Sequence, residues 1–451
     1  MVPIVPLLAC LDPVLAPTLQ RHLSRIALAL LTMTGRVTML GLSRWTGPGG
    51  SYRTVQRFFR ATLPWASLFW LFFRTHLFAP EDVYLLAGDE VVVTKAGKCT
   101  HGLDRFFSSL YGKPVPGLAF FALSLVSTQQ RQSFPVRLEQ VVRTDEERAQ
   151  AAARRHAKKA PPAAPPARPR GRPKGRKTTD KTAVPLSPEL QRIQGMVTAL
   201  LALIGRVVPL TYLVLDGHFG TNAALQMVRQ CHLHLISKLR ADSALYVRYD
   251  GPYAGRGPHR KYGDKLDYRA IPARYLRQTT VEEGVETRIY QLEALHKEFA
   301  AALNVVIIRK TNLQTGAQAQ VLLFSSDLGL AWDRLIDSYC LRFQLEFNFR
   351  DAKQFWGLED FMNIQPTAVT NAANLALFMV NLSYRSLQDL RQTQPQCSVL
   401  DLKAHCRGMK YVEETLKMLP EKPEPIIVAR ILTKIANLGR IHAPPRDPIA
   451  A

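Results

Sequence analysis

The chain has 451 residues, 47% hydrophobic and 21% charged, which suits a globular protein of two to four domains with at least one large core. Its 59 Lys and Arg against 36 Asp and Glu give a formal net charge of +23, which points to a polyanionic partner. No stretch approaches the run of about 20 apolar residues that a membrane span needs, and the opening MVPIVPLLACLDP lacks the basic n-region of a secretory signal. Nucleic acid is therefore the expected partner, not a membrane. The six cysteines are scattered without a C-x-x-C pair, which argues against a zinc ribbon or a disulfide framework and suits a reducing cytosol.

In chain order, residues 18–62 predict short helices. RHLSRIALALLTM has helical apolar spacing; after the turn TGPGG, Ser51 can cap a helix SYRTVQRFFRATL. Helix, glycine-containing turn and basic helix is the helix-turn-helix order, with Arg53, Gln56, Arg57 and Arg60 available for DNA, although a plain packing helix reads the same way. From residue 83 the pattern turns β-rich: VYLLAGDEVVVTK, LAFFALSLVS and PVRLEQVV predict strands. PELQRIQGMVTALLALIG then predicts a helix, and TYLVLDGHFG and LHLISKLR two more strands. Strands followed by alternating helix and strand predict an α/β domain with a mixed sheet.

Residues 151–177 hold ten Lys and Arg and no Asp or Glu, and their Ala and Pro content predicts a basic loop without a core, interrupting the domain over 148–183. Residues 241–325 predict a β-rich insertion (ALYVRY, TRIYQLEAL, LNVVIIRK, AQVLLFSS). The expected layout is a helical DNA-binding region over 1–80 and a first part of the core over 81–240. The insertion follows, then the end of the core over 326–390 and a helical C-terminal region with a Pro-rich tail over 391–451.

Three acids stand out. Asp89 lies among Leu and Val, where an unpaired carboxylate is costly. Asp216 ends the apolar run YLVLD, and sites gather at strand ends in α/β sheets. Glu346 lies in YCLRFQLEFNFRDAKQFW, where Tyr339, Arg342, Glu346 and Lys353 follow one another at steps of three, four and seven. On one continuous helix these four fall within an arc of roughly 60°. Two acids from neighbouring strands and a third from a facing helix make an oxygen-rich pocket suited to Mg²⁺. Two such ions about 4 Å apart can activate a water or 3′-hydroxyl against a phosphodiester. Arg342 and Lys353 can hold backbone phosphates, and Tyr339 can stack or donate a hydrogen bond. Against this, Asp89 can belong to a structural ion pair and Asp216 can cap the following helix.

With these residues the chain resembles the DDE transposases of bacterial insertion sequences, in the branch with a Y-x2-R-x3-E-x6-K signature (insertion sequence four type). Tyr339, Arg342, Glu346 and Lys353 match that spacing, with GDEVVVTKAGK around Asp89, LDGHFG around Asp216 and FSSDL before the third acid. The resemblance implies a ribonuclease H-like catalytic core holding two Mg²⁺ or Mn²⁺ ions on Asp89, Asp216 and Glu346. It also implies cleavage of double-stranded DNA at transposon ends, transfer of the freed 3′ ends to a target, and a homodimer pairing two ends in the bacterial cytoplasm. In that branch the signature Arg and Lys contact end DNA, and a β-rich insertion lies between the second Asp and the Glu. Well-studied relatives carry a Trp in the insertion to receive a flipped base; residues 241–325 contain none, and Tyr253 or Tyr262 can take its place by stacking.

Two further basic segments are candidates. Arg170 and Arg172 in RPRGRPKGRK resemble an AT-hook core for the A·T minor groove, or form a generic cationic linker. Arg260 and Lys261 in GRGPHRKYGDK are available for DNA flanks. His218, His232 and His234 lack a ligand cluster at zinc spacing and are read as structural. Two alternatives remain: a non-mobile nuclease of the same core, and a DNA-binding protein or decayed transposase without catalysis.

Overall fold

The computed structural model describes residues 4–108, 110–149, 153, 180–253, 255, 259–421 and 423–442. Arg170 and Arg172 lie outside the described residues. In chain order the main helices are α1 (Ile4–Leu8), α2 (Pro17–Thr32), α3 (Met39–Trp45), α4 (Tyr52–Arg60), α5 (Trp65–His76), α6 (Pro188–Ile204) and α7 (Asn222–Gln230). They continue as α8 (Trp332–Leu341), α9 (Gln344–Trp356), α10 (Pro366–Thr393), α11 (Val399–Met418) and α12 (Pro425–Ala436). The strands are β1 (Tyr84–Thr94), β2 (Asp104–Ser108), β3 (Lys113–Ser127), β4 (Gln132–Val141), β5 (Tyr212–Val214) and β6 (His234–Leu239). After them come β7 (Leu245–Arg248), β8 (Tyr262–Lys265), β9 (Leu276–Glu282), β10 (Val285–His296), β11 (Leu303–Asn312) and β12 (Gln318–Ser325).

The long apolar runs become the middle of a mixed sheet. β1 pairs antiparallel with β3 along its whole length and parallel with β5 at Leu86–Leu213 and Ala87–Val214. β3 carries β4 and β2 on its far side, and β5 continues in parallel to β6. Nearly every residue of β3 from Gly117 onward is buried, as expected of a strand covered on both faces. This α/β arrangement is ribonuclease H-like, with helices gathered at both ends of the chain.

The strands predicted within 241–325 form, and they extend the same sheet. β12 pairs with β6 from Leu322–Leu239 to Ser325–Ile236, and β11, β10 and β7 follow outward. β9 lines the outer part of β10 and is largely exposed, rich in Arg, Gln and Thr as an edge strand must be.

The terminal helices share one core with the sheet. The α5 sequence WASLFWLFFRTH is apolar on almost every side, and it is buried on almost every side. Trp65, Phe69 and Phe72 surround Phe378 of α10 with ring centroids 6.1, 5.7 and 5.2 Å away. Buried Asn371 of α10 accepts from the Trp65 indole at 2.7 Å and donates to the carbonyls of Phe59 and Ala61, each at 2.8 Å. One amide thus satisfies the loose carbonyls at the end of α4 and fixes the start of α5. Because all three partners lose their bonds together, Asn371→Ala should lower the unfolding free energy by about 2–4 kcal/mol. Urea unfolding followed by Trp fluorescence reads it, and an unchanged midpoint would remove Asn371 from this role.

Candidate active site

Register places the first two acids. Asp89 on β1 and Asp216, two residues past the end of β5, each follow the last β1–β5 pair, Ala87–Val214, by two residues, and the charge of Asp216 is felt at Asp89. The chain beyond β5 stays tied to β6: the Leu215 N–H donates to Ile236 O, and the Ser237 hydroxyl donates to Asp216 O at 2.6 Å. Close approach of β1 to its neighbours needs a missing side chain next to Asp89. A Cβ on Gly88 would lie 2.9 Å from both the Leu215 and the Phe121 side chains. Asp216 also accepts from the His218 N–H at 3.2 Å, so it does cap a short 3₁₀ turn, Gly217–Phe219.

The third acid arrives on a helix pair rather than on one helix. The stretch 339–353 predicts a continuous helix; the chain instead tightens at Arg342 and Phe343, between α8 and α9. There Phe343, Leu345 and Glu346 donate to Cys340, Arg342 and Phe343, three residues back. A turn of this kind rotates about 120° per residue instead of 100°, so Tyr339 and Arg342 are displaced relative to Glu346 and Lys353. α9 then packs over β1 and β4, and a left-handed Gly357 ends it, where a Cβ would lie 2.3 Å from Val37.

The tight turn delivers Arg342 to the acids. Its guanidinium donates to Asp89 Oδ2 at 2.6 Å and lies 3.4 Å from Glu346 Oε1, with its own side chain only 12% exposed. The ring of Tyr339 lies 5.8 Å from that guanidinium. Lys353 sits elsewhere: its ammonium donates to Val92 O at 3.1 Å and pairs with Glu359 at 3.0 Å, pinning α9 to β1. Burial pushes Asp89 up to about 6; Arg342 opposes this and the charges of Asp216 and Glu346 add to it. Asp89, Asp216 and Glu346 are thus close enough to repel one another, and an arginine supplies the positive charge between them.

Among the described residues no set of three or more His, Cys, Asp or Glu side chains is gathered closely enough to hold a metal ion. The donor chemistry nevertheless fits a hard cation, because the carboxylates of Asp89 and Glu346 flank one guanidinium and the charge of Asp216 reaches it. Arg342 would have to withdraw from Asp89 for an ion to take its place.

The other predicted residues are distributed as follows. Ser51 caps α4 as expected, accepting from the Thr54 N–H; Arg53, Arg57 and Arg60 are exposed, Gln56 is half-buried, and Val55, Phe58 and Phe59 face the core. Arg260 and Lys261 are exposed; Arg260 lies 4.8 Å from the Tyr249 ring. Tyr262 meets Tyr246 edge to face, and Tyr253 stacks on His259.

A second polar cluster was not anticipated. Glu90 follows Asp89 on β1 and so faces the other side of the sheet, over a pocket that it lines with Glu139, Glu189 and Arg192. Poor solvation there, together with Glu189, pushes Glu90 up to about 7, while His218 lies 3.4 Å from Glu189 and is raised by it. The Asp-Glu dipeptide inside a strand was the available signal, since alternation sends the two carboxylates to opposite faces.

The mixed sheet flanked by helices is a ribonuclease H-like nuclease fold. A family profile described as DDE superfamily endonuclease matches residues 6–298, and the chain belongs to that family. The matched span contains Asp89 and Asp216 and stops before Glu346. No curated protein matches the chain. Membership implies DNA as substrate, and members generally use divalent metals. Among the described residues no helix is long and apolar enough to cross a membrane.

Asp89 sets a stability signature. Its folded pKa is raised from 3.8 to about 6, so the folded chain binds the proton more tightly and the stability this contributes, full below about pH 4, is lost as pH rises through 6. Asp89→Asn should therefore gain stability relative to the parent between pH 4 and pH 7, by up to about 3 kcal/mol. Thermal or urea unfolding at both pH values measures it; equal differences at the two would show that Asp89 titrates normally.

Proposed function

We propose that this protein is a DNA transposase of the YREK-signature branch of bacterial insertion-sequence enzymes. It would bind the terminal repeats of its element, cleave there and join the freed 3′ ends to target DNA. The observation that supports this reading is Arg342, the signature arginine, held between Asp89 and Glu346, with the charge of Asp216 acting on the same group. A nuclease needs three acids; the signature spacing with its tyrosine, arginine and lysine is what favours a transposase over a non-mobile nuclease.

Asp89, Asp216 and Glu346 would hold two Mg²⁺ or Mn²⁺ ions. Bound ions would lower the pKa of an attacking water or 3′-hydroxyl and stabilise charge on the leaving oxygen. Before loading, Arg342 offsets the mutual repulsion of the acids. On loading it is released toward the DNA, where its planar fork can grip a phosphate of the transposon end. Tyr339 keeps the guanidinium on the site side of the turn. Lys353 holds α9 at a fixed depth on β1 and so fixes the position of Glu346; a DNA contact requires it to leave Glu359.

In the same reading, the exposed basic face of α4 supplies Arg53, Gln56, Arg57 and Arg60 to duplex DNA within a DNA-binding region over 1–80. Arg260 and Lys261 grip flanking DNA from the outer strands. Two copies bring two ends together in the bacterial cytoplasm.

The test is excision in cells from a donor carrying the gene between its native flanks. Repaired junctions should form with the parent protein and not with Glu346→Gln. In vitro, Asp216→Asn should abolish strand cleavage while end binding changes less than about threefold. Joint loss of binding and cleavage would make Asp216 structural, and junctions formed by Glu346→Gln would exclude it from catalysis.

A further inference from the structure

Beyond Thr94, where β1 ends, β2 and β3 continue together as a two-stranded arm. Strand alternation fixes which way the arm faces. Asp89 is directly opposite Ala122, and directly opposed residues share a face. Pairing along β3 is regular from Ala122 down to Lys113, so Pro116 and Pro114 lie on the Asp89 side, as do their partners Arg105 and Phe107. The buried Phe106 turns to the other side, where the Arg143 guanidinium lies 4.5 Å from its ring. On the Asp89 face of the arm Phe107 is 63% exposed, and at the turn that ends the arm Leu110 is 83% and Tyr111 53% exposed.

The surroundings of this apolar patch are cationic. Lys98, Arg105 and Lys113 are exposed on the arm and its approach, and Arg105 donates to Pro114 O at 2.8 Å, which holds its charge against the patch. The acid of β2, Asp104, lies 3.5 Å from Arg143 and 3.8 Å from Arg148, and is offset by them.

On its β1 side the arm offers little to an incoming strand. Pro116 O is taken by the Lys95 N–H and Pro114 O by the Arg105 guanidinium, and neither proline has an N–H to offer. A polyanion with flat apolar surfaces matches the exposed basic residues and aromatic rings of the arm.

We propose that the β2–β3 hairpin is a DNA-binding arm. Phe107, Leu110 and Tyr111 press on base or sugar surfaces, and Arg105 and Lys113 hold the adjoining phosphates. Phe107, opposite Pro114, stands eight residues of strand from the Ala122 level, about 27 Å, so the arm would meet the DNA away from the Asp89 site. The proposal rests on the DNA-processing role given above and adds a contact surface that the helix-turn-helix and the signature helix do not supply.

The test compares the full-length protein with two variants: Phe107→Ala, Leu110→Ser, Tyr111→Ala combined, and Arg105→Gln, Lys113→Gln combined. The probes are a fluorescein-labelled duplex and the same duplex with one frayed end, titrated by anisotropy over a range of salt. The apolar variant should bind the frayed duplex about tenfold more weakly, and the charge variant should lower the slope of log K against log salt by about 2. Both should melt as the parent does, since the altered side chains are exposed. Parental affinity and slope in both variants would overturn the arm while leaving the DNA role standing. A parent that binds neither probe would remove the DNA role and the arm with it. A self-association of the parent that the apolar variant loses, with DNA binding intact, would reassign the patch to a second copy of the chain.

Discussion

A partly buried carboxylate on β1 that feels the charge of two others is an electrostatic burden, and much of the arrangement around β1 answers it. Asp89 is largely buried and feels Asp216 and Glu346. Without a cation between them the acids would bind protons or force the strands apart. Arg342 supplies that cation, and the tightened turn between α8 and α9 is what lets it reach Asp89 while Glu346 stays within 3.4 Å. The chain therefore carries its own counter-ion, held where a metal-dependent nuclease needs positive charge.

This site is mounted on rigid elements. β1 is paired along its length on one side, and α9 is pinned to it by Lys353 and closed by Gly357 against Val37. Asp360, just past α9, accepts from the Val37 N–H and pairs with Arg36, which ties the N-terminal helices to the end of the helix that carries Glu346. Buried Lys403 of α11 adds to this by donating to Leu30 O at 2.6 Å and Phe355 O at 3.3 Å, near the C-terminal ends of α2 and α9. Helices from both ends of the chain thus set the depth of the helix that carries Glu346, which is the kind of support a geometrically demanding site requires.

The two faces of β1 have opposite characters that follow from one dipeptide. Asp89 points toward the arginine and the covering helix. Glu90 points into a pocket with Glu139, Glu189 and Arg192, near His218. Both acids are held above their usual range, Asp89 by burial and Glu90, though it keeps contact with solvent, by poor solvation in its pocket and by Glu189, and each has a different set of compensating cations. Period-two alternation inside a buried strand is enough to produce this division.

The sequence by itself determined many of the strands and helices, but not β2, β8, β9 or the apolar helix α5. The apolar runs around Asp89 and Asp216 and the Ser51 cap are local signals, because side-chain entropy, burial and capping act over a few residues. It also showed that a Tyr, an Arg, a Glu and a Lys share a signature spacing. Only the tertiary structure decided that the strands leading to Asp89 and Asp216 lie side by side, since that pairing joins residues more than a hundred positions apart. It likewise decided that the 339–353 stretch breaks at Arg342, where an ion pair to β1 outweighs one more turn of ideal helix. The same holds for the strands of 241–325, which read as an insertion locally and are joined to the core sheet by β12 pairing with β6. In each case the deciding contact lies far away in the chain, and no local pattern of residues records it.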